Sequence, residues 1–488
     1  MLQMYGFFMY ICNEFREKYS HMQSGNASRG SFGSQLGVIL AAAGSAVGLG
    51  NIWRFPTEVG KGGGAAFILI YLGFIFLIAM PVMISEFVIG RSARSNAIGA
   101  FQKLAPGKLW VAAGIMGVLG GFLVLSFYSV VAGWTLHYTI QSALGQLQGL
   151  QTADNGQQPA DFAAAFNAFV SDPWQPILYI AVFLLLTHLV VARGIRHGIE
   201  RYSKLMMPML LAIIVLLVCF SLMMPGASEG IRFLLKPDLN EVTPEVILGA
   251  MGQAFFSLSV GLGCLVTYAS YFSNETRLVK SAVNVCIIDT MVAVLSGFII
   301  FPTVFSVGIA PDAGPGLVFI TLPNVFLLTF GEMPVAGYIF SLLFYFLLLL
   351  AALTSSISMH EICTAFISEH FSHSRKRAAA IVTIVCLVLG SFCSLSFGPW
   401  QKVTIFGRGF FDLFDYTVTK FLMPLGGLLI TVFVGWWLDR KLVDAQLTND
   451  GSISIRAMKP LLFLIRWVAP IGILVIFLNE LFPLFMKN

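Results

Sequence analysis

Charged residues are scarce in this chain. Asp, Glu, Lys and Arg together make up 11% of its 488 residues, whereas soluble domains carry about 25%. Hydrophobic residues make up 57%, and the mean hydropathy is +0.84. A chain of this composition cannot form a solvated surface along most of its length, so a soluble globular protein is excluded. We predict an all-α polytopic membrane protein in contact with the lipid bilayer, because helices satisfy their own backbone hydrogen bonds in lipid.

Disulfide patterns and enzyme motifs are also lacking. Six of the seven cysteines lie inside apolar runs, so no disulfide framework is expected. The string from Gly226 to Gly230 matches a nucleophile elbow but follows no strand. His360 and Glu361 begin a metalloprotease pattern, but Thr364 replaces its second histidine. We therefore expect no enzymatic activity and no organic cofactor. The net charge of +5 lies in short basic loops, so no nucleic-acid partner is expected either.

Long apolar runs are abundant. About eleven of them are long enough to cross a bilayer, separated by Gly, Pro and charge clusters. They lie near 36–59, 64–90, 109–142, 174–192, 203–224, 244–271, 279–309, 335–368, 377–397, 411–437 and 460–485. Basic residues concentrate in alternate loops, which predicts a cytoplasmic N-terminus and an external C-terminus.

The segment 1–34 precedes these runs. Its apolar start is too short to span a bilayer, and no small-residue cleavage pattern follows it, so it does not read as a signal peptide. Met22 is an alternative to Met1 as the natural start of the chain. We expect the segment to be cytoplasmic.

Glycines interrupt two of the apolar runs. The string Val-Gly-Leu-Gly occurs at 47–50 in the first run and again at 260–263 in the sixth. Each glycine costs roughly 1 kcal/mol against alanine in a helix interior. Unwound backbone at membrane depth is tolerated only where it faces protein or a polar cavity, and such interruptions in corresponding runs indicate a transporter site. The alternative is close helix packing through small residues, which leaves the neighbouring Asn51 and Arg54 unexplained.

Polar side chains lie at membrane depth near these glycines and in three other runs. Singly, a Ser, Thr or Tyr can be structural, whereas an intramembrane carboxylate such as Asp289 is a functional-site hypothesis by default. Together they are rich in oxygen and lack thiolates, which favours hard cations. Free N–H groups after Gly48 would suit an anionic group. The set predicts one site for a carboxylate and alkali cations. Its members are free backbone carbonyls near Gly44, Ala46 and Val47 and the side chains of Asn51, Ser257, Asp289, Thr354 and Ser355.

In these motifs the chain resembles the neurotransmitter:sodium symporter family in its shorter bacterial form. The likeness is carried by the stretches 44–56, 253–259, 267–271 and 353–356, and extends from Gln35 to the last run. It implies two inverted five-helix repeats with broken first and sixth spans, plus one extra C-terminal span, in a bacterial inner membrane. The expected parts are a cytoplasmic segment 1–34, repeats 35–224 and 225–440, and a cytoplasmic loop with the eleventh span at 441–488.

The resemblance also implies the site residues. Sodium site one would be formed by Ala46, Asn51, Ser257 and Asp289. Sodium site two would be formed by Gly44, Val47, Ala351, Thr354 and Ser355. The substrate would contact Ala46, Leu49, Gly50, Val124, Tyr128, Phe256, Ser257, Ser259, Leu262, Ser355 and Met359. The outer gate would be Arg54 with Asp415, and the inner gate Arg29 with Glu369, helped by Phe32 and Tyr271.

The expected function is import of a neutral, apolar amino acid with two sodium ions by alternating access. Many family members look to have a neutral side chain where this chain has Asp289, so we expect chloride-independent transport, with Asp289 taking up a proton for the return step. Two alternatives stay open: a non-transporting sensor or regulatory member, and a proton-coupled amino acid permease of the same fold. The sequence names neither the amino acid nor the oligomeric state.

Overall fold

Helices make up nearly all of the described structure. The computed structural model describes residues 30–149, 162–307, 317–330 and 333–485. Within these ranges the only strand-like pairing is an isolated bridge between Ile405 and Arg408. The all-α prediction is therefore confirmed. The start at Met1 or Met22 and the gate residue Arg29 lie outside the described residues.

The described residues contain the predicted spans in the predicted order. Nine helices are long and apolar enough to cross a membrane without interruption: Ala65–Ala93, Val111–Ala143, Gln175–Ala192, Ile195–Ser221, Leu278–Phe305, Val335–His370, Arg375–Leu395, Phe410–Trp437 and Met458–Glu480. One further candidate span is a bent pair of helices, Gln35–Ala46 with Gly50–Lys61. The helices Pro244–Ser257 and Cys264–Ala269 lie in the sixth predicted run and are separated by residues 258–263. We call these two pairs the first and sixth spans. Shorter helices in the connections are Ala97–Leu104, Gln146–Gly149, Phe162–Ser171, Ala227–Leu235, Leu239–Glu241, Leu317–Thr321, Leu322–Phe330 and Arg440–Thr448.

The fifth span begins earlier than predicted. The apolar pattern suggested 203–224, but the helix starts at Ile195 with a π-helical turn, Ile195–Glu200. That turn holds Arg196, His197 and Glu200, so hydropathy alone assigned it to the loop. Gly194, with φ of 89°, separates the end of the fourth span from this turn.

The first span breaks directly after Ala46. Val47 is extended, with φ −67° and ψ 110°, and a π-helical turn, Gly50–Arg54, begins the second half. The two halves are bent by 54°. A Cβ atom at Gly48 would lie 2.5 Å from the Ser355 hydroxyl oxygen, so only glycine lets the eighth span approach here.

The sixth span breaks between Ser257 and Cys264. Ser259, Gly261 and Gly263 have φ of 51°, 88° and 71°. This left-handed region costs a glycine no steric penalty. A Cβ atom at Gly261 would lie 2.4 Å from the carbonyl oxygen of Met423, so the tenth span also requires a bare backbone there.

Both breaks lie inside the protein. The first half of the first span contacts the fifth, seventh and eighth spans, and the third span contacts the fourth, eighth and ninth. Val47, Asn51, Leu258 and Val260 are completely buried. The unwound backbone therefore faces protein and not lipid, as its unpaired polar groups require.

Candidate functional site

The two breaks meet around one cavity. All eleven side chains or backbone segments predicted to contact substrate line it: Ala46, Leu49, Gly50, Val124, Tyr128, Phe256, Ser257, Ser259, Leu262, Ser355 and Met359. Five lining residues were not predicted: Gly48, Phe127, Val418, Thr419 and Met423. Three of these five come from the tenth span, whose sequence carries no motif that marks a site.

A buried carboxylate lies beside the cavity, in the predicted sodium site one. The Asn51 amide donates to Asp289 Oδ1 at 2.7 Å, and the Ser257 hydroxyl donates to Asp289 Oδ2 at 2.7 Å. Asp289 is completely buried, and no Lys, Arg or His nitrogen in the described parts of the chain lies within 4.0 Å of it. A buried carboxylate without a cation is strongly unfavourable. The arrangement therefore suits a bound cation.

Two further hydroxyls support this cluster, and the sequence reasoning missed both. Tyr71 of the second span donates to the Ser257 hydroxyl oxygen at 3.2 Å. Ser296 donates to the backbone carbonyl of Asn51 at 2.6 Å. Ser296 lies seven residues after Asp289 on the same helix, so the helical period could have indicated that both face the first span.

The predicted sodium site two lies on the other side of the first break. The Ser355 hydroxyl is 2.9 Å from the carbonyl oxygen of Val47 and 3.4 Å from that of Gly44. The Thr354 hydroxyl is 3.4 Å from the Val47 carbonyl oxygen and 3.0 Å from that of Ala351. The five predicted oxygen sources thus converge without a formal charge. A cation bound here would replace these hydroxyl-to-carbonyl hydrogen bonds.

Oxygen, and not nitrogen or sulfur, dominates both clusters. No group of three or more His, Cys, Asp or Glu side chains suited to a metal ion occurs in the described ranges. Carbonyl, hydroxyl, amide and single-carboxylate oxygens match an alkali cation better than zinc or another transition metal. The ligand chemistry is that of an alkali-cation site.

Both polar and apolar groups line the cavity. The Leu49 amide donates to the Tyr128 hydroxyl at 3.4 Å, so an N–H group and a hydroxyl lie next to the second half of the first span. The apolar side chains of Val124, Leu262 and Met359 are buried and also line the cavity. A zwitterion with an apolar side chain would match this combination.

The outer gate residues do not contact each other in this structure. The Arg54 guanidinium lies over the Phe256 ring, 4.1 Å from its centroid. Its nitrogens lie beyond 4.0 Å from the Asp415 carboxylate. Arg54 therefore makes a cation–π contact with a ring that lines the cavity, and Asp415 lies on the tenth span.

The predicted inner gate residues belong to two separate sets of contacts, an aromatic cluster around Phe32 and a hydrogen-bonded pair of Glu369 with Asn96. Phe32 packs against Tyr268, Tyr271 and Phe272. Glu369 accepts hydrogen bonds from the backbone and side-chain amides of Asn96 at 2.9 and 2.8 Å.

Tyr271 leads to an ion pair that was not predicted. Its hydroxyl donates to Glu361 at 2.7 Å, and Glu361 also binds the Arg375 guanidinium. Arg375 in turn donates to the Val191 carbonyl at 2.9 Å. The fourth, sixth, eighth and ninth spans are thereby joined near one end. The sequence did contain a signal for this pair, because Glu361 is a carboxylate inside an apolar run and therefore needs a partner.

A second missed carboxylate holds the sixth break. Glu86 of the second span is completely buried and accepts from the backbone amides of Gly261 at 2.6 Å and Val266 at 3.2 Å. These N–H groups lie at the break and have no helical partner. Glu86 therefore stabilises the unwound segment from behind the cavity.

Comparison with known proteins agrees with this geometry. The model of a family described as the Sodium:neurotransmitter symporter family matches residues 29–160 and 163–486. The chain is 41% identical to an uncharacterized sodium-dependent transporter, YhdH, of Bacillus subtilis strain 168, over 91% of this chain and 96% of that one. It is 26% identical to the human sodium- and chloride-dependent GABA transporter 2, over 81% of this chain and 70% of that one. The crystal structure of MhsT in complex with L-phenylalanine matches with a TM-score of 0.83 and 43% identity, covering 93% of this chain and 100% of that one.

Proposed function

Since the chain belongs to the sodium:neurotransmitter symporter family, a family of transporters and not of enzymes, we propose that it imports a neutral, apolar amino acid together with sodium. The observation that carries the proposal is the pair of oxygen clusters on either side of one cavity at two helix breaks. Sodium-dependent relatives and a structural match bound to an amino acid support the same function.

Ion binding prepares the site for substrate. One sodium ion would bind Asn51, Ser257, Asp289 and the Ala46 carbonyl, and would also attract the substrate carboxylate. The other would bind the carbonyls of Gly44, Val47 and Ala351 with the hydroxyls of Thr354 and Ser355. Both ions bridge the first span to others, so binding favours a closed arrangement of the breaks.

The substrate is proposed from the cavity walls. Its carboxylate would meet the Leu49 and Gly50 amides and the Tyr128 hydroxyl, while its ammonium group would face the Ser259 hydroxyl and the carbonyls near Ala46 and Phe256. The buried Val124, Leu262 and Met359 would hold an apolar side chain. The L-phenylalanine complex of MhsT is consistent with such a substrate.

Chloride independence follows from the fixed charge of Asp289. A carboxylate beside a sodium ion supplies the negative charge that a bound chloride ion would otherwise supply. The bacterial relative is called sodium-dependent, whereas the human one is called sodium- and chloride-dependent. Uptake should therefore be unchanged when chloride is replaced by gluconate.

Alternating access would proceed between the repeats 35–224 and 225–440. In the proposed orientation the N-terminus is cytoplasmic, the C-terminus is outside, and the protein lies in a bacterial inner membrane. Two sodium ions with a zwitterion carry two positive charges, so a 100 mV potential contributes about 4–5 kcal/mol. That energy supports roughly thousand-fold accumulation before the sodium gradient is counted. If Asp289 carried a proton outward on the return step, fewer net charges would move inward and the accumulation would be smaller.

Uptake into proteoliposomes tests the proposal. With an inward sodium gradient, a labelled apolar amino acid should accumulate above its external concentration, and competition by all twenty amino acids should identify the substrate. Binding without accumulation would indicate a sensor or regulatory protein. Uptake that persists when choline replaces sodium would indicate a proton-coupled permease.

A further inference from the structure

A cation lies on the lipid-facing side of the last span without an acidic partner. Arg466 belongs to the span Met458–Glu480, and its side chain is exposed. Its guanidinium lies over the Trp436 ring, 4.2 Å from the centroid. Within the described residues no carboxylate oxygen lies within 4.0 Å of it. An ionisable residue within a membrane span is a functional-site hypothesis by default.

Tryptophans surround this cation. Trp436 packs edge-on against Trp467 with ring centroids 4.6 Å apart, and Lys108 lies over Trp437 at 5.7 Å. The tenth span ends directly after Trp437, where Leu438 becomes extended. Tryptophan concentrates at the level of the lipid headgroups. The Arg466 cluster, meaning Arg466, Lys108, Trp436, Trp437 and Trp467, therefore lies at a membrane interface.

An apolar groove begins at the same cluster. It has a volume of about 320 Å³ and lies between the last, second and sixth spans. Trp467 and Ile471 line one side and Leu77 and Ile78 the other. A Cβ atom at Gly472 would lie 2.3 Å from Ile78 Cδ1, so glycine brings the two spans together at the groove floor. From Trp467 to Gly472 the helix rises about 7.5 Å, so the groove extends from the interface toward the bilayer centre.

We propose that this surface binds one anionic phospholipid. Its phosphate would contact Arg466 beside Trp436 and Trp467, and one acyl chain would lie in the groove. An interfacial arginine ordinarily extends into water, whereas Arg466 lies across an indole with its N–H groups available. A headgroup with a net negative charge supplies the missing counter-charge, whereas a choline headgroup carries its own cation beside the phosphate. A second copy of the chain would instead bring two Arg466 side chains into one two-fold interface, because such an interface uses the same patch twice.

Lipid selectivity tests this proposal. The full chain in detergent is given equal amounts of phosphatidylglycerol and phosphatidylcholine with the same acyl chains, and bound lipid is counted by native mass spectrometry. We expect about a fivefold preference for phosphatidylglycerol, as one interfacial cation provides. Arg466→Gln should bring the ratio close to one, whereas Arg466→Lys should retain most of the preference because it keeps the charge.

Two further variants make the result specific. Arg440→Gln is the matched control, because Arg440 already pairs with Asp444 at 2.9 Å and its loss should leave the ratio unchanged. Ile471→Trp should fill the groove and lower the occupancy of both lipids. Equal binding of the two lipids by the parent protein would overturn the proposal. So would an unchanged preference in Arg466→Gln, or a dimer that excludes lipid from this face.

Discussion

Asp289 has two hydrogen-bond donors and no basic partner within reach among the described residues. Asn51 and Ser257 each donate to one of its carboxylate oxygens, and Tyr71 and Ser296 hold these donors from behind. Four spans thus fix the position of a single negative charge. A cation that enters the cluster completes its charge balance and gains the preorganised oxygens.

Asp289→Asn tests the role of that charge. The variant keeps the shape of the side chain but removes the attraction for the ion. For charges about 4 Å apart this attraction is on the order of 4 kcal/mol in protein surroundings. We expect the sodium concentration for half-maximal amino acid binding to rise at least tenfold, and added chloride to restore part of the loss.

Equilibrium binding of labelled substrate at increasing sodium concentration measures this change. Asp444→Asn provides the control, since Asp444 belongs to an exposed pair with Arg440 on the helix Arg440–Thr448. Unchanged sodium dependence in the Asp289→Asn protein would show that the Asp289 carboxylate does not bind the ion.

At the scale of elements, the breaks depend on close contact between spans. Gly48 faces Ser355 and Tyr128 of two other helices, while Gly252, earlier in the sixth span, faces open space. Gly48→Ala should therefore force the eighth span away from the first break. Overpacking of this kind costs about 1–3 kcal/mol, so we expect substrate affinity to fall roughly 10- to 100-fold, whereas Gly252→Ala should bind normally. Equal effects of the two changes would show that helix propensity, not contact, explains the first glycine cluster.

Glu86 gives a second prediction for the sixth break. In the parent protein the Glu86 carboxylate accepts hydrogen bonds from the backbone N–H groups of both Gly261 and Val266. Glu86→Gln would therefore direct an amide N–H toward one of these donors. Losing a hydrogen bond to a charged group costs about 1.5–3 kcal/mol. We expect a lower melting temperature and weaker substrate binding. Glu245→Gln, at the exposed start of the same span, should change neither. A Glu86→Gln protein as stable as the parent would contradict the assigned role.

The sequence predicted those elements whose signal is local. Glycines marked both breaks, and hydropathy placed the apolar runs. The start of the fifth span was wrong because Arg196, His197 and Glu200 lie inside its first turn. The contacts of Tyr71 with Ser257, of Glu86 with Gly261 and of Glu361 with Tyr271 were missed because the partners lie 90 to 186 residues apart along the chain. Only the packing of spans brings such pairs together.

For the whole molecule, the Glu361–Arg375 pair joins spans that transport would have to move. Tyr271 connects the sixth span to this pair, and Val191 connects the fourth. A buried pair that loses one member leaves an uncompensated charge, which costs about 3–5 kcal/mol. Arg375→Gln leaves the completely buried Glu361 without its cation, so it should lower the melting temperature more than the double change Glu361→Gln with Arg375→Gln. Thermal unfolding of the purified proteins decides this. A double variant less stable than the single one would mean that the pair is favourable in itself.

In the proposed mechanism both helix breaks hold sodium beside an amino acid. The most direct test is electron cryomicroscopy of the full chain with sodium and the strongest competing amino acid from the binding screen. We predict density for the amino acid between the breaks, with its carboxylate at Leu49 and Gly50, and ion density beside Asp289 and beside Ser355. Substrate density away from the breaks, or density unchanged when sodium is replaced by choline, would rule out the proposed sodium and substrate sites.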